Sequence, residues 1–187
     1  VITKDQIIDD IFRREGDAYG DQTTTPPIDQ PTARGGITLQ VLQEFYDAQA
    51  LGTATVDDLK RMTHEQARIV VWWKRQQLAR QHGLDRIAYE PLQLQLIDFA
   101  YNSGPGLAIR WLQRVLEVPR TGKMDQLTID AAEQVVSHGC GRLLHHALGF
   151  ARLLMIDLAT DPGGKVEKRF EEGLENRALS FSLLPIP

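Results

Sequence analysis

Glu15 is the residue whose type and position offer the most chemistry. It lies four residues after Ile11 and three after Phe12, so the apolar stripe of Ile7, Ile8, Ile11 and Phe12 carries it inward on a helix. It also falls at the C-terminal end of that helix, where the dipole disfavours a negative charge. Desolvation and the dipole both favour the protonated acid. A carboxylic acid that keeps its proton near neutral pH can deliver it to the leaving oxygen of a glycosidic bond. The competing reading is a surface glutamate paired with Arg13 or Arg14.

The stretch after Glu15 supplies partners for such chemistry. Asp17, Asp21 and Asp29 are possible second carboxylates, with Tyr19, Thr32 and Thr38 as polar neighbours. Two carboxylates in different environments are what acid/base cleavage of a glycoside needs. An ordinary polar loop would carry the same residues. Other reactive groups make weaker constellations. His138, Cys140, His145 and His146 match no zinc spacing, and adjacent His145 and His146 point to different faces of a helix. No metal is expected. Ser103 has neither the nucleophile-elbow spacing nor a paired base. Trp72 and Trp73 are read as core or groove packing ahead of sugar stacking.

The elements that must position these residues are mostly helices. Thr3 with Gln6 reads as a capping box that opens the first one. From Gly16 to Gly36 the pattern stops, because Pro26, Pro27, Pro31, Gly35 and Gly36 forbid a regular helix. Roughly 20 residues without helix inside a compact domain mark a functional loop or a small hairpin. Helices resume over Leu39 to Gln49. Thr55 caps a short one, and Thr63 with Gln66 caps a long one reaching about Gln81. Pro91 suits the first turn of a helix that is apolar around most of its circumference, hence buried and central. Asn102 to Gly106 stops it and starts another, striped by Leu107, Ala108, Trp111, Leu112, Val115 and Leu116. Leu143, Leu144, Ala147, Leu148, Ala151, Leu154, Met155 and Leu158 predict a further apolar stripe, and Val166, Phe170 and Leu174 a last helix.

Composition narrows the class. With 187 residues, one domain with two lobes can bury a full core. Cys140 is the single cysteine, so no internal disulfide forms, which fits folding in a reducing compartment. No run of about 18 apolar residues predicts a membrane span. A net charge of −4 argues against general nucleic-acid binding, which needs a basic face.

The segment Arg14-Glu15-Gly16-Asp17-Ala18-Tyr19, continuing to Pro31-Thr32-Ala33-Arg34-Gly35-Gly36-Ile37-Thr38-Leu39, resembles the active-site start of the glycoside hydrolase family 108 muramidases. Leu96-Ile97-Asp98-Phe99-Ala100-Tyr101-Asn102-Ser103-Gly104-Pro105-Gly106 and Ala108-Ile109-Arg110-Trp111-Leu112-Gln113-Arg114 look like that family's second signature, which opens a region often labelled peptidoglycan-binding. Phe170, Gly173, Asn176 and Arg177 resemble its C-terminal motif. Asp17-Ala18 stands where the family has a second glycine, Gln22 to Ile28 look inserted, and the Gly-Gly of the aspartate turn is missing between Asp29 and Thr32.

The resemblance implies a mainly α, lysozyme-like, two-lobed helical fold with a small β-hairpin or irregular wing between about Gly16 and Thr38. Residues 1–90 would form the catalytic region, and residues 91–187 a helical lobe packed into the same fold. It implies cleavage of the bond between N-acetylmuramic acid and N-acetylglucosamine, without cofactor or metal. Glu15 would be the general acid and Asp29 the second carboxylate, with Asp21 its rival. Thr32 would hold the attacking water, with Thr38 as the alternative. Tyr19, Thr38, Tyr101 and Asn102 would contact substrate, and Tyr101 and Asn102 would share a cleft with Glu15. A lytic transglycosylase and a non-catalytic wall-binding relative are the rival functions. The expected partner is the glycan strand, met by a monomer. An immunity or delivery partner is added if the protein is a secreted toxin rather than a phage lysis or host remodelling enzyme. Without a basic-then-apolar leader in Val1 to Asp5, the protein is expected to be made in the cytoplasm and to reach the periplasm or cell wall by another route.

Overall fold

The computed structural model describes residues 3–15 and 32–160. Helix α1 (Lys4–Glu15) is followed by strands β1 (Thr32–Ala33) and β2 (Ile37–Thr38), then by α2 (Leu39–Gln49), α3 (Val56–Arg61) and α4 (His64–His82). Four further helices follow among the described residues: α5 (Glu90–Ser103), α6 (Pro105–Val115), α7 (Gln126–Val135) and α8 (Gly141–Thr160). The residues fall into two compact units, Thr3–Gln77 and those from Leu78 on, with the division inside α4. Among the described residues no helix is long and apolar enough to cross a membrane.

In the N-terminal unit, local chemistry sets the helix starts. The Thr3 amide donates to Gln6 Oε1 at 2.8 Å, and the Gln6 amide donates back to Thr3 Oγ1 at 3.3 Å. Thr63 and Gln66 make the same reciprocal pair ahead of α4. Thr55 and Asp58 do so at α3, and the bonds from Thr55 hold the Asp58 carboxyl below its ordinary pKa. Each box satisfies two amides that the first turn leaves without partners. The predicted face of α1 is the buried one: Ile7, Ile8, Ile11 and Phe12 are each at most 5% exposed. Its outer face is tied down by Arg68 of α4, which donates to Asp5 at 3.0 Å and also pairs with Asp9.

In the second unit, α5 is the central helix, buried from Pro91 to Ala100 apart from half-buried Gln93, and packed against α6 and α8. Gly104, at φ +86°, stops α5, and Pro105 begins α6 at once. Two buried polar contacts join α5 to α8. Arg152 Nη1 donates to Asp98 Oδ2 at 2.9 Å, with both side chains at most 2% exposed. The Gln95 amide, oriented by its hydrogen bonds, donates to the His145 carbonyl at 2.9 Å and accepts from the Gly149 amide at 3.1 Å. Helix α7 was not foreseen; it starts at Asp125, whose side chain accepts from the Thr128 amide at 3.0 Å.

The stripe predicted on α8 is too wide. Leu144 and Leu148 are buried, but Leu143 is 69% and Leu154 46% exposed. With Phe150, 59% exposed, these residues stand at i, i+7 and i+11 and share an outer edge of the helix. The last predicted helix, with Val166, Phe170 and Leu174, lies outside the described residues.

His145 is buried on the inner side of α8. Burial, and then the neighbouring His146, lower its pKa to about 4. The unfolded chain takes up this proton near the ordinary histidine value of about 6.5. Between those values the unfolded state binds more protons, so stability falls as pH falls through the window from about 6.5 to about 4. The melting temperature of the protein should drop over that range, and the His145→Gln variant should show a flatter profile. Parallel profiles for the two proteins would remove His145 from the acid response.

Candidate active site

The C-terminal end of α1 and the hairpin belong to one packed unit. Glu15 is the last residue of α1, one turn beyond buried Phe12. The 3-10 turn Arg34–Gly36, which links the two strands, packs against α1. Gly35 has φ +69°, and a Cβ there would stand 3.1 Å from the Phe12 ring and 3.2 Å from Val71. Both the left-handed backbone and the close approach demand glycine. Arg34 fastens the turn from the other side, Nε donating to the Met62 carbonyl at 3.2 Å. The Phe12 ring also meets His64, centroid to centroid at 4.7 Å.

The strand register sets Thr32 opposite Thr38 and Ala33 opposite Ile37. Thr38 caps α2, its Oγ1 accepting from the Val41 amide at 3.2 Å. That bond uses one lone pair and leaves the hydroxyl proton free to donate elsewhere. Two threonines are therefore register partners across the hairpin whose turn rests on Phe12. Tyr19 and Asp29 lie outside the described residues, as do Asp17 and Asp21. Arg13 pairs with Asp10, an alternative to the Glu15 contact suggested by sequence.

Arg75 is a feature that sequence reasoning missed. It is 3% exposed, with Nη1 donating to the Val71 carbonyl at 3.3 Å. Val71 touches the hairpin turn, and Arg75 follows it by one turn on the same face of α4. In the sequence it closes the run Trp72-Trp73-Lys74-Arg75 and reads as solvent-facing. The two tryptophans are half-buried. Lys4 Nζ lies 5.5 Å from the Trp72 ring, and Trp73 meets Phe45 edge-on at 5.3 Å.

Tyr101 and Asn102 belong to the second unit. Tyr101 is 44% exposed at the end of α5. The Asn102 amide is turned back on its own helix, donating to the Asp98 carbonyl at 2.6 Å and to Asp98 Oδ1 at 3.3 Å. It thus supports the carboxylate that Arg152 binds. Among the described residues no three His, Cys, Asp or Glu side chains converge as metal ligands. His138 Nδ1 donates to the Gln134 carbonyl at 2.6 Å.

These elements define a mainly α-helical protein carrying one small antiparallel hairpin among its described residues. No family model and no curated protein matches the chain. Among solved structures it is similar to Brucella abortus SagA, with 23% sequence identity over 96% of this chain and 95% of that one, and a TM-score of 0.54. The likeness runs nearly end to end and shows a shared fold.

Proposed function

We propose that this protein is a lysozyme-like muramidase, which hydrolyses the β-1,4 bond between N-acetylmuramic acid and N-acetylglucosamine in bacterial peptidoglycan. The observation that carries the reading is the seating of the hairpin turn on Phe12, one turn before Glu15, in a hairpin whose register sets Thr32 opposite Thr38. The reading is supported by the end of α1 and the hairpin belonging to one compact unit. Glu15 protonates the leaving oxygen as the oxocarbenium-like transition state develops. A carboxylate from the segment before β1, Asp29 ahead of Asp21, either attacks the sugar or activates water. Direct attack needs the two carboxyl groups about 5–5.5 Å apart, and water activation about 6.5–9.5 Å. Thr32 helps hold the water.

The decisive assay is a zymogram in which the purified protein clears embedded peptidoglycan. Mass spectrometry of the released fragments then separates hydrolysis, which adds water, from transglycosylation, which leaves an anhydro end. The second carboxylate is tested in the same way. Asp29 immediately precedes the return of the chain to the hairpin, whereas Asp21 stands before the inserted stretch Gln22 to Ile28. Asp29→Asn should therefore cost far more activity than Asp21→Asn, with Thr32→Ala between them. A reversed order would give the role to Asp21. No loss from either would favour the transglycosylase, which needs no second carboxylate.

A further inference from the structure

Three arginines of the second unit gather about one tryptophan and, among the described residues, form no ion pair. Leu107, Arg110, Trp111 and Arg114 of α6, together with Arg120 of the following loop, line an open pocket that has no carboxylate among these lining residues. Among the described residues Arg110, Arg114 and Arg120 pair with no acid, whereas Arg61, Arg68 and Arg152 each hold an aspartate. In a chain of net charge −4, this is a concentrated positive site, unneutralised among the described residues.

Its geometry is held from behind. The Arg114 guanidinium lies over the Trp111 ring at 4.9 Å. Gly122, at φ +71°, brings the loop backbone so close to Arg110 that a Cβ would stand 3.0 Å from its Nε. Fully buried Gln113 ties this loop to α6. Its Nε2 shares its two protons among Thr121 Oγ1 and Thr128 Oγ1, each at 2.9 Å, and the Lys123 carbonyl at 3.0 Å, while its Oε1 accepts from the Gly122 amide at 2.9 Å. The position of Arg120 relative to Arg110 and Arg114 is thus set by a buried amide rather than by chance surface packing.

We infer that this pocket binds the carboxylates of the peptide stems carried by the glycan strand; the inference rests on the muramidase reading for its choice of ligand. Guanidinium forks match carboxylates in bidentate geometry, and the Trp111 face with Leu107 gives the aliphatic part of a peptide residue an apolar surface. The sugars offer nothing comparable, because the lactyl carboxyl of the muramic acid is consumed in its amide bond to the stem. The charge on such a strand resides in its peptides.

Calorimetric titration of the whole protein with four probes tests this: a stem tetrapeptide with free carboxylates, the same peptide fully amidated, a peptide-free N-acetylglucosamine oligomer, and inorganic phosphate. The free peptide should bind, more weakly as salt rises. The amidated peptide and the oligomer should not bind at this site. Arg110→Gln and Arg114→Gln should each weaken the free peptide about tenfold or more, while their thermal melts stay near that of the unaltered protein. Equal binding of the amidated peptide, unchanged affinity in both variants, or phosphate binding as tightly as the peptide would each overturn the assignment. Running the titration beside the zymogram keeps the two readings apart. Peptide binding without glycan cleavage sinks the muramidase reading alone, and cleavage without peptide binding sinks this one alone.

Discussion

Glu15→Gln is expected to reduce lysis of peptidoglycan by at least about 100-fold while leaving the melting temperature close to that of the unaltered protein. General acid catalysis is typically worth 10²- to 10⁴-fold, and an amide of the same shape has no acidic proton to deliver. Glutamine also fills the volume of glutamate, so the exchange changes no packing volume. Helix α1 is held by its Thr3–Gln6 cap, by buried Ile7, Ile8, Ile11 and Phe12, and by the bonds from Arg68 to Asp5 and Asp9. Its end is fixed by the Gly35 turn resting on Phe12. Turbidity clearing of purified peptidoglycan and a circular-dichroism melt on the same preparation provide the two measurements. A variant that kept more than about a hundredth of the activity would pass the acid's duty to another residue. One that lost activity and melted early would show a structural role instead.

What was legible in the sequence is what is decided locally. A threonine three residues before a glutamine or aspartate fixes a helix start through bonds within one turn, and Thr3, Thr55 and Thr63 all do this. Gly104-Pro105 likewise separates α5 from α6 whatever surrounds it, because the glycine takes a left-handed φ and the proline suits a first turn. At the far end of the proline- and glycine-bearing stretch, where a hairpin or irregular wing is expected, stands the Thr32–Thr38 hairpin.

The less legible features depend on partners distant in the chain. Arg75 sits in a run that looks solvated, and its burial follows from how α4 packs rather than from any local spacing. Leu143 and Leu154 look like core on a helical wheel, yet the packed face of α8 is narrower than its apolar residues suggest. Gln113 reads as one more polar residue on α6, although it organises a whole loop. For the candidate site, periodicity placed Glu15 at the end of a buried stripe. The choice among Asp17, Asp21 and Asp29 depends on the path of a segment without periodicity, where sequence supplies no register.

The Asp98–Arg152 pair is the extreme case of such distance, joining residues 54 positions apart, and it should have the largest effect on stability. Both groups are at most 2% exposed, so each is desolvated and the ion pair is part of what compensates its charge. Arg152→Met leaves a buried carboxylate without its ion-pair partner, and Asp98→Leu leaves a buried guanidinium over the Phe99 ring, 4.9 Å from its centroid. Losing one member of a buried pair costs about 3–5 kcal/mol. For a chain of this size that corresponds to a fall in melting temperature of roughly 6–20 °C. Asp98→Leu also removes the Oδ1 acceptor of the Asn102 amide, which keeps the Asp98 carbonyl. Combining the two substitutions eliminates both charges, and the double variant should recover most of the loss, since apolar replacement of a whole buried pair is often neutral. A double-mutant cycle by urea unfolding measures this directly. If the single losses simply add in the double variant, the two side chains act independently and the pair does not hold α5 to α8. If the double variant recovers stability but lyses peptidoglycan poorly at a temperature where it is fully folded, the Asn102–Asp98–Arg152 chain positions a wall-contacting residue at the end of α5 as well as joining two helices.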